Sequence, residues 1–475
     1  MTNTDAPPAV QPKVNLVKCR DDFKPVRLVP SSDSTSAEPR FQLADGSVCS
    51  WAKSDESFGP ERLRQRIEPW LTALFQSEHL SLLAGSGLTT GICRLATGQA
   101  PPGMARAKFG DFDRFVDPAA KRSAEAAGRG PGNIEDQLRV AGELLHGFRI
   151  QGEADAKAVE HASTLEGLLK DVLKEFTANL LHGENSILLA PPEQRTNAFN
   201  YLVSFLMSFA SRSGTRDRLH VFTTNYDRVI EAGAELAGMH LLDRFVGSLA
   251  PVFRSSRLDL DMHYNPPGIR GEPRYLEGVA RFTKLHGSID WVDRERHINR
   301  LTVPFGAKSI EPYLNPAGVD GSNATHLMIY PNAAKDRETA GHPYVELFRD
   351  FAAAVCRPNH TLVSFGFSFG DEHINRVIED MLTIPSTHLV IVAYDDPLDR
   401  VLKMFERLGR DAQISLLLGE HVGAFQPLVE HYLPKPAIDR TTFRMAELLK
   451  SRFGAAQAPV ETKGDKAGPD PMADL

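Results

Sequence analysis

Short apolar runs alternate with stretches of helical periodicity along most of the chain. The runs that fit buried strands are 80–84, 219–222, 279–285, 361–365, 389–393 and 414–418. The continuous apolar run at 389–393 is typical of a parallel strand covered on both faces. Between them apolar residues recur at intervals of three and four, as at Leu63, Ile67 and Leu71. Alternating strands and helices predict an α/β fold with a doubly wound, mostly parallel sheet.

The alternation is interrupted between 112 and 218, where helical patterns follow one another without a strand. The clearest apolar stripe runs through Leu165, Val172, Phe176 and Leu180. Packing against a core explains such a stripe. We therefore expect a large helical insertion at 112–218 in the α/β domain, and it is a candidate for part of a lid.

Composition changes toward both ends of the chain. Residues 1–16 and 454–475 are rich in Pro, Ala, Gly and charge, which predicts disordered tails. Residues 17–60 contain short extended segments around a Ser-rich turn, and we expect a small N-terminal β-rich appendage there. The α/β domain is expected at 61–435, followed by a C-terminal helix at 436–453.

The overall composition is ordinary for a soluble globular protein, with 42% hydrophobic and 24% charged residues. The net charge of -7 argues against binding nucleic acid through a general basic surface. Cys19, Cys49, Cys93 and Cys356 are scattered, which disfavours a disulfide framework or a zinc ribbon and suits a reducing cytosol. We expect a cytoplasmic protein, because neither a secretory leader nor an apolar membrane span is apparent.

Polar or glycine-rich residues follow four of the predicted strands. They are found at 85–91, 223–227, 284–288 and 366–372. Ligands of open α/β sheets bind beyond the carboxyl ends of the strands. The three glycines within 85–91 also permit close approach of a phosphate to backbone N–H groups. Each segment is therefore a candidate part of one binding site.

Structural roles account equally well for the same residues taken one at a time. Asn225 and Asp227 precede a helical pattern, where Asn caps a helix and a carboxylate complements the helix dipole. His286 is one of 16 histidines, and a histidine with a purely structural role is the ordinary case. Lys284 fits either a phosphate partner or a solvated charge.

The four segments, taken together and in order, resemble motifs of the sirtuin family. Gly85-Ser86-Gly87-Leu88-Thr89 resembles the Gly-Ala-Gly-x-Ser nucleotide loop, and Thr223-Thr224-Asn225-Tyr226-Asp227 resembles the Thr-Gln-Asn-Ile-Asp motif. The segment 284–288 resembles the His-Gly motif, and 366–374 resembles the late Gly-x-Ser/Thr-x loop. The resemblance spans about 80–420 and implies a sirtuin-like, NAD-binding catalytic domain with a Rossmann-like sheet.

Departures from the family pattern narrow the implied activity. Protein-deacylating sirtuins carry a four-cysteine zinc module after the His-Gly motif, whereas this chain has no cysteine between Cys93 and Cys356. No zinc is therefore expected. This feature and the long insertion before Asn225 are similar to bacterial sirtuin-like proteins that hydrolyse NAD in anti-phage defence. Ser86 and Thr89 replace the usual Ala and Ser, although Thr89 keeps a hydroxyl.

The resemblance implies a role for each motif residue. Asn225 would contact the ribose or place the attacking water, and His286 would bind ribose hydroxyls and act as general base. Asp227 would orient the nicotinamide-ribose side or the loop. The implied NAD-binding residues are Gly85, Ser86, Gly87, Leu88 and Thr89 around the pyrophosphate, Thr224 beside Asn225, and Gly366 and Ser368 near the adenosine half.

The leading functional hypothesis is an NAD glycohydrolase that makes nicotinamide and ADP-ribose, or a cyclised product, and depletes NAD during abortive infection. A protein deacylase and a non-catalytic module that senses NAD or ADP-ribose are the alternatives. The resemblance also implies a homo-oligomer and a separate partner, such as a hexameric ATPase or an Argonaute. The chain has no Walker-type Gly-Lys-Ser/Thr loop, so an ATPase would be another polypeptide.

Overall fold

The computed structural model describes residues 14–35, 39–130, 132–212, 216–256, 260–264, 274–294, 297–314 and 342–435. The predicted C-terminal helix at 436–453 and the predicted tail at 454–475 lie outside these residues. Residues 14–16 are the described part of the predicted N-terminal tail.

The described strands take their bounds from backbone pairing. In chain order they are β1 (Asn15–Lys18), β2 (Val26–Pro30), β3 (Phe41–Leu43), β4 (His79–Ala84), β5 (Leu219–Thr223), β6 (His240–Leu242), β7 (Phe245–Val246), β8 (Val252–Phe253), β9 (His263–Tyr264), β10 (Arg274–Tyr275), β11 (Val279–Lys284), β12 (Trp291–Arg294), β13 (His297–Arg300), β14 (His360–Phe365), β15 (His388–Ala393) and β16 (Ile414–Leu418).

Helices connect most of the long strands. The described α-helices are α1 (Pro60–Phe75), α2 (Ser86–Thr97), α3 (Asp113–Ala126), α4 (Ile134–Gln151), α5 (Ala156–Leu189), α6 (Pro192–Ala210), α7 (Val229–Leu236), α8 (Glu311–Leu314), α9 (Tyr344–Val355), α10 (Glu372–Leu382), α11 (Arg400–Leu408) and α12 (Phe425–Pro427). Short 3-10 turns lie at Gly110–Phe112 and Asp411–Gln413, and a π turn lies at Leu428–Tyr432.

The main sheet has the order β3-β2-β1-β16-β15-β14-β4-β5-β11-β6. Its strands from β16 to β6 pair in parallel, as the alternation of strands and helices predicted. The chain passes from β4 to β5 on one side and later returns to β14 on the other side of β4. The strand order therefore reverses between β4 and β14. This architecture confirms the predicted doubly wound, Rossmann-like α/β fold.

The sheet is covered on both faces because neighbouring residues of each strand point in opposite directions. Leu82 and Val221 pack with α1, α2, α6 and α7. Leu83 and Phe222 pack with α9, α10 and α11 on the opposite face. A smaller four-stranded sheet has the order β12-β13-β8-β7; β7 and β8 precede the predicted His-Gly segment in the chain, and β12 and β13 follow it.

The N-terminal strands extend the main sheet and do not form a separate appendage. β1 pairs antiparallel with β16, with Leu16 opposite Leu418, and β2 and β3 continue the sheet outward. All residues of β1 are buried, because the strand covers what would otherwise be an open edge. Since β1 begins at Asn15, the predicted boundary between residues 16 and 17 falls inside a strand.

The segment 112–218 contains α3 to α6, and it packs in two different ways. α6 joins the core beneath the sheet. A further apolar cluster is formed by α3, α4 and much of α5, and it also includes Tyr226, Ile289 and Val292. These three residues follow β5 and β11, so the helical layer rests on the loops at the carboxyl ends of those strands.

Candidate active site

A cleft of about 520 Å³ lies where the strand order reverses, at the carboxyl ends of β4, β5, β11 and β14. Open α/β sheets bind their ligands at this position, and the volume is within the range of about 300–1,000 Å³ typical of small-molecule sites. The predicted site residues that line the cleft are Gly85, Ser86, Thr89, Thr224, Asn225, Asp227, His286, Gly366 and Ser368.

Three of the predicted glycines bring the ends of β4 and β14 into direct backbone contact. A Cβ atom at Gly85 would lie 2.5 Å from the carbonyl oxygen of Gly366, and one at Gly87 would lie 2.6 Å from Gly366 Cα. Gly366 has a φ of +60°, which glycine adopts without strain. The glycines are thus required by the packing of the two loops, a reason that the nucleotide-loop pattern does not reveal.

Two residues of the predicted nucleotide loop do not line this cleft. Helix α2 begins at Ser86, so only one face of its first turn meets the cleft. Ser86 and Thr89, which are three residues apart, share that face. Leu88 is fully buried in the core, and Gly87 lies against Gly366. Gly87 lines an adjoining cavity instead, and the predicted role of the 85–89 backbone in holding a pyrophosphate stays a prediction.

Asn225 is fixed by hydrogen bonds made through one end of its amide. Nδ2 donates to the carbonyl oxygen of Gly85 and to Thr89 Oγ1, each at 3.0 Å. The residue is only 7% exposed, and no partner of Oδ1 is found among the described residues. Asn225 is therefore held rigidly at the wall of the cleft with an acceptor still available.

Asp227 positions other groups of the site. Its Oδ2 accepts a hydrogen bond from Thr89 Oγ1 at 2.8 Å, and its Oδ1 accepts one from the backbone N–H of Val229 at 3.1 Å. The carboxylate therefore holds Thr89 toward Asn225 and satisfies a donor at the start of α7. The same carboxylate therefore contacts a residue of the cleft, Thr89, and the start of a helix, α7.

Lys284 is buried, so the predicted alternatives of phosphate partner and solvated charge both fail for this cleft. Its side chain is 2% exposed. The ammonium donates to the carbonyl oxygen of Asp227 and to Glu231 Oε1, the latter at 3.0 Å. Lys284 thus holds the loop after β5 through the backbone of Asp227.

His286 is paired with a carboxylate from a distant part of the chain. Its Nε2 lies 2.8 Å from Asp371 Oδ2, and the two side chains are 13% and 5% exposed. The other oxygen, Asp371 Oδ1, accepts the backbone N–H of His373 at 3.0 Å and so caps α10. In the neutral imidazole, donation from Nε2 to Asp371 leaves Nδ1 as the acceptor.

The helical layer supplies a wall of the cleft that the motifs did not indicate. Tyr226 Oη donates to Glu135 Oε1 at 3.0 Å, and Glu135 belongs to the first turn of α4. Burial raises the pKa of the Tyr226 phenol well above its usual value, so the hydroxyl remains a donor. The Tyr226 ring is centred 6.3 Å from the His286 ring.

A buried ion pair fastens the helical layer to the loop that carries Asn225. Arg228 follows that loop, and its guanidinium lies 2.6 Å from Glu184 of α5. Glu184 Oε1 also accepts the backbone N–H of Arg228 at 2.8 Å. The guanidinium donates further to the carbonyl oxygens of Val303 and Pro304. The pair therefore ties α5, β5 and the segment after β13 together.

The family comparison covers the later part of this site. Residues 219–417 match the SIR2-like domain. The match begins at β5 and ends in β16, and it contains Asn225, His286 and Gly366. It supports a sirtuin-like family and indicates NAD-related enzyme activity in general. No curated protein matches the chain.

Within the described ranges, no group of three or more His, Cys, Asp or Glu side chains is arranged to hold a metal ion. No helix in the part of the chain that the structure describes is long and apolar enough to cross a membrane.

Proposed function

We propose that this chain hydrolyses NAD at the bond between nicotinamide and ribose. The C1′–N bond breaks and nicotinamide leaves with the bonding electron pair, while a water oxygen bonds to C1′ and one proton is released. The products are nicotinamide and ADP-ribose. The observation that carries the proposal is the 2.8 Å pair of His286 and Asp371, located in the same cleft as Asn225 and within a SIR2-like domain.

Asn225 suits the binding of a ribose hydroxyl or of the attacking water. Its Nδ2 is already bonded to Gly85 and Thr89, so the side chain has little freedom left to lose when substrate binds. Its Oδ1 then accepts a hydrogen bond from the bound hydroxyl or water. Holding the reacting groups in this manner accounts for several kcal/mol of a barrier in favourable cases, roughly 7–11 for ideal alignment.

His286 suits the role of general base. With Nε2 bonded to Asp371, Nδ1 is left to take a proton from a ribose hydroxyl or from water. The carboxylate fixes the ring orientation and stabilises the imidazolium that forms. The proton then passes to solvent, which completes the balance of the reaction.

The cleft also suits a transition state that carries positive charge on the ribose. Nicotinamide leaves as a neutral molecule, and the ribose becomes oxocarbenium-like. Asp371 and Glu135 both line the cleft, and carboxylates fixed in a partly buried site stabilise developing positive charge. The chemistry requires no metal.

Hydrolysis is preferred over protein deacylation because the cysteines of the zinc module are missing between Cys93 and Cys356. In this proposal NAD depletion serves anti-phage defence, and a homo-oligomer or a partner protein restrains the activity until infection. A separate ATPase or Argonaute-type protein is the expected partner.

Product analysis tests the reaction. The purified chain is incubated with NAD, alone and with its candidate partner, and the nucleotides are separated by chromatography. We expect equal amounts of nicotinamide and ADP-ribose, or its cyclic form, without an acylated peptide. Nicotinamide release that depends on an acylated lysine peptide would replace hydrolysis by deacylation. Tight NAD binding without release in every assembly state would instead favour the sensing module.

A further inference from the structure

A second cavity adjoins the cleft at the reversal of strand order. It has a volume of about 630 Å³ and lies toward the carboxyl ends of β15 and β16, where Tyr394 and Phe425 offer aromatic surface. The rim between the two cavities is formed by residues that line both of them: Ser86, Thr90, Gly366, Phe367, Ser368 and Arg400.

Arg400 is the cationic side chain at this rim. It is the first residue of α11, and its guanidinium lies close over Gly370, where a Cβ atom would stand 2.8 Å from Nη1. No hydrogen bond or ion pair of Arg400 is found among the described residues. Arg228, by contrast, is paired with Glu184.

The charges around Arg400 leave its guanidinium incompletely neutralised. Burial lowers the pKa of Arg400, the carboxylate of Asp396 opposes this, and the positive charge of Arg129 adds to the lowering. Asp396 Oδ2 accepts the backbone N–H of Leu402 at 3.0 Å, and Arg129 is paired with Asp136 at 2.6 Å. The rim therefore holds a positive charge without a dedicated counter-ion.

The backbone at the rim also favours an anion. Helix α2 begins at Ser86, and its N-cap residue, Gly85, provides no capping side chain. The first N–H groups of a helix and its dipole both attract negative charge. Arg400 and the start of α2 thus line the same rim from two sides.

We propose that Arg400 binds the pyrophosphate of a dinucleotide that spans both cavities, with its nicotinamide riboside in the cleft and its adenosine in the second cavity. This inference rests on the proposed NAD hydrolysis and adds a phosphate-binding residue that the motifs do not include. A guanidinium forms two parallel hydrogen bonds to phosphate oxygens. The ligand, in turn, supplies the missing counter-ion.

Calorimetric titration with ADP-ribose tests the assignment. Arg400→Gln should weaken binding by roughly 10- to 100-fold, the usual cost of losing hydrogen bonds to a charged group. Arg400→Lys, which restores the charge, should recover part of the affinity. Arg407→Gln is the matched control, since Arg407 lies on the same helix, pairs with Glu379 and is 52% exposed; it should bind as the wild type does.

The outcomes separate this inference from the proposed function. Equal ADP-ribose affinity in the wild type and Arg400→Gln would overturn the role of Arg400 even if the wild type cleaves NAD. A wild type that binds no ADP-ribose would overturn both. A melting temperature of Arg400→Gln at or above the wild-type value is expected, because the substitution removes an uncompensated charge. A melting temperature of Arg400→Gln below the wild-type value, together with no recovery of ADP-ribose affinity in Arg400→Lys, would indicate a structural role and also overturn the inference.

Discussion

Replacing Asp371 by Asn isolates the contribution of the His286 partner. Asp371 has two tasks, one at each carboxylate oxygen: it accepts from the His373 backbone at 3.0 Å and pairs with His286 at 2.8 Å. Asn caps a helix about as well as Asp does. With its one oxygen at the His373 N–H, Asn keeps the start of α10 and places an uncharged amide nitrogen beside the imidazole, so both the negative charge and the acceptor for Nε2 are removed.

The expected loss follows from the strength of that contact. Hydrogen bonds to charged groups contribute about 1.5–3 kcal/mol, and each 1.4 kcal/mol changes a rate about tenfold. The kcat for nicotinamide release should therefore fall by roughly 10- to 150-fold. The KM for NAD should change little, because Asp371 acts through His286 and not through the bound ground state.

Steady-state kinetics and a double-mutant comparison check this reasoning. His286→Ala and the double variant His286→Ala/Asp371→Asn should have the same low activity, since Asp371 acts on the reaction through the imidazole. The melting temperature of Asp371→Asn should stay within a few degrees of the wild type. A wild-type kcat in Asp371→Asn, or an additive loss in the double variant, would refute the pairing as a catalytic device.

Two further predictions concern stability. Glu184→Ala leaves the Arg228 charge buried without its partner and should lower the free energy of unfolding, measured with urea, by about 3–5 kcal/mol. The control Glu166→Ala on the same helix breaks an exposed pair with Arg149 and should cost less than about 1 kcal/mol. Equal losses in the two variants would contradict a stabilising role of the buried ion pair. Burial lowers the pKa of His360 to about 3, whereas an unfolded histidine titrates near 6.5. Below about pH 6.5 the unfolded chain therefore binds more protons than the folded chain. The free energy of unfolding should decrease as the pH is lowered, by up to about 2 kcal/mol at pH 5 for this residue. His360→Leu should flatten the dependence between pH 7 and 5, and an unchanged slope would contradict this account.

The polar strand ends could be found from the sequence because each follows a short segment rich in apolar residues. That pattern places Asn225 and His286 at the same edge of a parallel sheet. Asp371 falls in the polar segment 366–372, but the sequence does not reveal its pairing with His286, which joins positions 85 residues apart. No local pattern reports such a contact.

Other parts of the site depend on packing that periodicity does not encode. Helical periodicity in α4 and α5 predicts buried faces but not which loops they cover, so the sequence does not place Glu135 and Glu184 near the cleft. Arg400 follows an ordinary loop and begins an ordinary helix. The short strands β1 to β3 gave too little pattern to place them at the sheet edge beside β16.

Nicotinamide release from NAD by matched variants tests the central claim most directly. The wild type, Asn225→Ala, His286→Ala and the control His146→Ala, which alters an exposed histidine of α4, are compared in the same activated assembly after equal folding is verified by melting temperature. We predict release by the wild type and by His146→Ala, with a loss of at least about 100-fold in the other two. Release at the wild-type rate by His286→Ala and Asn225→Ala would contradict the assignment of this cleft as the site of NAD hydrolysis.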